Sequence, residues 1–137
     1  MLGTKSHGWW HIAEYPIEEV VRNQHPRFIT IDGMLYRVKM KVGRNRIFRA
    51  ARCHCACCGA EATRAMLDTD RIGSGVASFN IYGVRCGRIV MMTRDHIFPQ
   101  CLGGTNDRSN MQMLCNHCNH VKDNKTIDLG RLRELVS

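Results

Sequence analysis

TRDHIFPQCLGGTNDRSNMQMLCNHCNHVK, residues 93–122, gathers most of the chemistry in this chain into one short stretch. It sets an Asp-His pair (Asp95, His96), a Gly-Gly turn (Gly103, Gly104) and Asn110 ahead of a Cys-x-x-Cys (Cys115, Cys118) that Asn119 follows at once. Upstream, CACCG repeats the spacing with Cys55 and Cys58, and Gly59 suits the turn. A C-x2-C turn presents two thiolates on one side of a tight loop, so two such turns complete the tetrahedral set that a structural Zn²⁺ takes. CHCACC also offers Cys53, His54 and Cys57, with Cys53/Cys57 as the alternative pair. Cys86 and Cys101 read as a hairpin thiol and a loop thiol.

The Asp-His pair invites a hydrolytic reading. A neutral imidazole takes a proton from water, and a hard divalent cation, Mg²⁺ or Mn²⁺, neutralises a leaving oxygen. Such a cation prefers oxygen ligands and keeps several waters, so one carboxylate and one amide oxygen suffice. Asp95 supplies a carboxylate. Neighbours on a strand point to opposite faces, so Asp95 and His96 serve one site only where the strand ends or twists, as Pro99 and the glycines allow.

With these residues in order, the segment resembles the HNH endonuclease family, most closely the small zinc-stapled members common in bacteriophage genomes. The resemblance implies a ββα-metal (His-Me finger) core, in which a two-stranded ribbon packs on a helix around one catalytic divalent ion. It implies that His96 is the general base, that Asp95 and Asn119 are metal ligands, and that Asn110 pins the long loop and so orients His96. His120 is the alternative ligand should the helix be rotated by a residue. Lys122 matches a basic position of the family and is assigned a scissile-phosphate contact. The close match covers about thirty residues of the 137 and leaves residues 1–50 outside it.

Charge supports a polyanionic partner. The formal net charge is +8, and residues 1–60 carry ten Lys/Arg against four Asp/Glu. Between Arg37 and Arg52 lie seven basic residues and no acid, among them Lys39, Lys41, Arg44 and Arg46. This is the footprint of a phosphate-backbone binder, here DNA, whose phosphodiester chemistry RNA shares. No run approaches the roughly 18 apolar residues of a membrane span. Nor does the N-terminus resemble a secretory signal. A cytoplasmic setting, in a bacterial cell or phage-infected host, is expected, with the protein a monomer or weak dimer. His7, His11, His25 and His54 show no evident partner and read as surface residues.

The fold class is α+β. Residues 14–23 read as a short helix; Asp32-Gly33 reads as a hairpin turn. Alternation from Met34 to Val42 gives a strand with a basic face, and a Gly43-Arg44-Asn45 turn would lead into a third strand over 46–51, completing a basic β-meander. ATRAML (62–67) suggests a helical turn. A hairpin then joins 76–84 to 88–93 near Arg85-Cys86-Gly87. An ordered loop follows over 98–109, then a short strand at 111–114, a helix from Asn116 to about Lys125, and a terminal helix over 126–136. The chain divides into a DNA-contacting extension, 1–52, and a zinc-stapled nuclease domain, 53–137. The competing class is a non-catalytic, zinc-dependent nucleic-acid-binding protein or phage regulator on the same scaffold.

Overall fold

Val76–Arg85 is the strand around which the sheet is assembled, because almost every side chain along it is buried. The computed structural model describes residues 3–137. In chain order these form β1 (Lys5–Ser6), β2 (Trp9–Tyr15), α1 (Ile17–Val21), β3 (Phe28–Ile31), β4 (Met34–Lys39), α2 (Val42–Ala50), β5 (Ala62–Thr69), β6 (Val76–Arg85), β7 (Arg88–His96), β8 (Met111–Cys115), α3 (Asn116–Lys122) and α4 (Leu129–Val136). β5 pairs antiparallel with β6 on one edge. On the other edge β4 runs parallel to Val76–Ser78, and β7 runs antiparallel to Tyr82–Arg85. β7 then leaves β6, and its second half, Met92 to His96, pairs antiparallel with β8. α3 follows β8 without a break. The result is a mixed α/β architecture. Residues before Cys53 contribute β2 and β4 to the sheet that β5 and β6 complete.

Both expected hairpins form. Asp32 and Gly33 have φ of 51° and 78°, as do Cys86 and Gly87 at 51° and 75°, the left-handed pair that a two-residue type I′ turn requires. Two expectations need correction. The third strand of the basic meander, over 46–51, is instead the helix α2, and Gly43-Arg44-Asn45 is its first turn. Arg and Ala are good helix formers. Ile47 and Phe48 point inward while Arg46 and Arg49 stay exposed, a helical and not an alternating pattern. Buried Asn45 fixes α2 to α1 by donating to Val20 O at 3.0 Å and Asn23 Oδ1 at 2.8 Å. The helical turn expected at ATRAML is likewise β5, an inner strand paired on both edges. Being paired and largely buried, it need not alternate, and tertiary context overrides its helix propensity.

Two of the histidines are not surface groups. His25 is buried, its ring 4.6 Å from that of Phe79. His11 Nδ1 lies 2.7 Å from Asp68 Oδ1. Asp68, wholly buried, also accepts from Asn80 Nδ2 at 2.9 Å and from the Tyr82 hydroxyl at 2.5 Å. Burial, and then Asp68, push the Tyr82 phenol well above its ordinary range. Ser6 Oγ lies 2.6 Å from His11 Nε2, so a chain of polar contacts straps β1 and β2 onto β5 and β6.

Removing Asp68 would orphan several buried polar groups at once. Asp68→Ala is therefore expected to lower the unfolding free energy by about 3 kcal/mol or more. The check is a urea titration in which the midpoint falls at unchanged slope; an unmoved midpoint would show the network to be dispensable.

Candidate active site and metal centre

Cys55, Cys58, Cys115 and Cys118 bring their sulfurs within 4.8 Å of one another. Four thiolates bound to one zinc at about 2.3 Å stand roughly 3.8 Å apart; Cys58 Sγ and Cys115 Sγ are already 3.9 Å apart. The two turns share one hydrogen-bond pattern. Cys58 N–H points to Cys55 Sγ and Cys118 N–H to Cys115 Sγ, each at 3.5 Å. These four cysteines are thus positioned to bind a metal ion, and the alternative pair Cys53/Cys57 lies outside the group. Their crowding polarises the thiols. Hydrogen bonds from Cys115 and Cys118 hold Cys55 far below the thiol range, while those to Cys115 and Cys55 push Cys118 far above it. A dication supplies the positive charge that such a set otherwise obtains only by sharing protons.

The cluster joins distant segments. Cys115 ends β8 and caps α3. The upstream turn is pinned to β8 by Ala56 N–H to Met113 O at 2.8 Å. From α4, Arg133 donates to Cys57 O and Ala56 O, each at 3.0 Å.

Beside it, a cleft of about 590 Å³ is lined by Asp95, His96, Asn119, His120, Lys122 and Arg94 among others. Three of the four residues singled out for catalysis therefore share one cleft. Although β7 stays paired through His96, opposite Met111, the two neighbours engage different partners. Asp95 faces Gln112, which donates to its Oδ2 at 3.0 Å, and Lys122, whose amine lies 3.2 Å from the same oxygen. His96 turns to the loop, with Nε2 2.8 Å from Asn106 Oδ1. Asn119 donates Nδ2 to Thr93 Oγ1 at 3.0 Å, and Thr93 in turn donates to Leu114 O at 2.8 Å. That chain leaves Asn119 Oδ1, like Asp95 Oδ1, without a hydrogen bond among the described residues. Two hard oxygen donors in an open cleft fit a divalent cation.

Asn110 sits outside the cleft and organises the loop above it. Its side chain accepts from Phe98 N at 2.8 Å and donates to Phe98 O at 3.1 Å and Thr105 O at 2.8 Å. The Gly-Gly pair makes this closure possible. Gly103 has φ of 99°, and a Cβ on Gly104 would stand 1.9 Å from Phe98 O.

Lys122, assigned to a phosphate contact, lines the cleft but is engaged within the protein. The residue is 1% exposed, and its amine is held inside by Asp95 and by His96 O at 3.0 Å. A buried cation without its partner would be costly, so Lys122 ties α3 to the end of β7 instead of reaching outward. Of the basic residues, Arg37 and Lys39 are exposed on β4 and Arg46 on α2; Lys41 caps α2, and Arg44 lies in its first turn. Thr93, Asn106 and Gln112 were not among the expected site residues. Period-two spacing from Asp95 could have flagged Thr93, whereas Asn106 and Gln112 depend on loop closure and on β7–β8 register.

Residues 86–129 match the family model described as HNH endonuclease. That segment holds β7, the loop, β8 and α3, so the likeness to HNH endonucleases, a family of nucleases, covers the cleft and the second sulfur turn. No curated protein and no solved structure matches the chain.

Because the sulfur cluster joins the upstream turn to β8 and α3 inside the buried core, Cys115→Ser is expected to abolish stoichiometric metal binding and the cooperative unfolding transition together. Elemental analysis and calorimetry measure both; a metal-free variant that still melts cooperatively would remove the staple from the account.

Proposed function

We propose that the protein is a metal-dependent HNH endonuclease that hydrolyses phosphodiester bonds in DNA, on a ββα-metal core of β7, β8 and α3 stapled by structural zinc. The observation that carries this reading is the shared cleft of Asp95, His96 and Asn119, with Asn110 bracing the loop above it. An amide oxygen accepts only from a protonated ring nitrogen, so the Asn106 contact leaves the His96 Nδ1 lone pair to take a proton from water. Asn110 holds the loop that carries Asn106, and so sets the angle of the imidazole. Asp95 and Asn119 would hold a Mg²⁺ or Mn²⁺ ion, which supplies charge neutralisation at the leaving oxygen. Lys122 and Gln112 aim the Asp95 carboxylate, and Thr93 aims the Asn119 amide. Residues 1–52 serve as the DNA-contacting extension, through Arg37, Lys39, Lys41, Arg44 and Arg46. Thiolates are soft ligands and carboxylate and amide oxygens are hard ones, which assigns zinc to the cysteines and the catalytic ion to the cleft.

Incubated with supercoiled plasmid and Mg²⁺ or Mn²⁺, the unsubstituted chain is expected to nick or cut it, and His96→Ala to leave it intact. Plasmid untouched under every metal would overturn the enzyme in favour of a binding module. A subtler variant, Thr93→Val, keeps the shape but removes the hydroxyl that orients Asn119. It is expected to weaken divalent-ion activation about tenfold, read as a shift in the metal concentration giving half-maximal cleavage; an unchanged value would contradict the aiming role.

A further inference from the structure

Arg94 stands between two clefts. On one side it lines the cleft of Asp95, His96 and Asn119. On the other it lines a cleft of about 390 Å³ with Lys41, Val42, Gly43 and Arg44. A Cβ built on Gly43 would lie 3.5 Å from Arg94 Nη1, so this guanidinium rests against the first turn of α2. Arg44 is fixed there: Nε and Nη2 donate to Asn45 Oδ1 at 3.1 and 3.0 Å, and its guanidinium lies 5.2 Å from the Phe48 ring centre.

Three cations thus share a small space, and among the described residues none of them is in an ion pair. Burial, and then Arg94, lower Arg44 to about 10. Burial also lowers Lys41, followed by the charges of Arg44, Lys39 and Arg94. The first turn of α2 gives no relief, since it contains no acid. Like charges held together at an electrostatic cost are relieved by an anion, and arginine forks suit phosphate oxygens.

We infer that Lys41, Arg44 and Arg94 form a subsite for a single backbone phosphate of the DNA strand being cut, a neighbour of the phosphate beside His96. Consecutive phosphates are covalently linked, so a strand with one phosphate in the larger cleft threads another past Arg94, the residue common to both. The inference rests on the nuclease reading and extends it: Arg94 becomes a positioning residue, and Lys41 and Arg44 act on the same phosphate instead of contributing diffuse charge.

The test is binding of a labelled duplex against salt concentration, using the metal-loaded 137-residue chain with His96→Ala to prevent turnover. A shared phosphate counts once in the log–log salt slope however many cations hold it, so replacing Lys41, Arg44 and Arg94 together by Gln is expected to flatten the slope by about 0.9. Arg64→Gln, whose exposed side chain pairs with Glu14 at 3.5 Å, serves as the control and should leave the slope unchanged. A triple variant with an unaltered slope would overturn the subsite. So would a triple variant losing about 2.7, the sum expected of three independent surface charges. A chain that cuts plasmid yet shows no slope change refutes the subsite alone, whereas one that binds no duplex refutes the nuclease reading as well.

Discussion

Four sulfur atoms supplied by segments almost sixty residues apart converge where one metal ion could hold those segments together. Cys115 is at once the last residue of β8, the cap of α3 and a member of the cluster. Its position therefore sets where the helix starts relative to the strand pair. Asn119 lies one turn along that helix, and Lys122 one turn further. An ion bound among the sulfurs would therefore constrain how far the Asn119 amide stands from the Asp95 carboxylate.

Strand geometry resolves the difficulty of two adjacent side chains serving one site. Asp95 turns toward α3, where Lys122 and Gln112 hold it, and His96 turns toward the loop, where Asn106 holds it. Both reach the same cleft because β7 ends there. Each of the two side chains is thus oriented by a residue contributed by a different element, the arrangement that the proposed chemistry needs.

Much of this was legible in the sequence, wherever a local rule governs. The two sulfur turns and both hairpins follow from spacing and turn chemistry, and the loop-bracing place of Asn110 from the family resemblance. Where packing decides, the sequence misleads. Residues 42–50 continue the alternation of β4 on paper, yet Asn45, Ile47 and Phe48 find buried partners only as a helix. ATRAML favours a helix until two neighbouring strands claim its backbone. Lys122 looks like one more basic residue facing a polyanion, and only the fold encloses it beside Asp95. His11 has no sequence neighbour to announce Asp68, its partner across β2 and β5. The Lys41–Arg44–Arg94 grouping was half visible: the basic run was plain, but the helix that brings it to Arg94 was not.

The most direct measurement of the central claim is X-ray absorption at the zinc edge on the purified protein. Four sulfur scatterers at about 2.3 Å are expected, with no lighter atom in the first shell. A first shell containing nitrogen or oxygen in place of any of these sulfurs, or protein isolated folded without zinc, would contradict it.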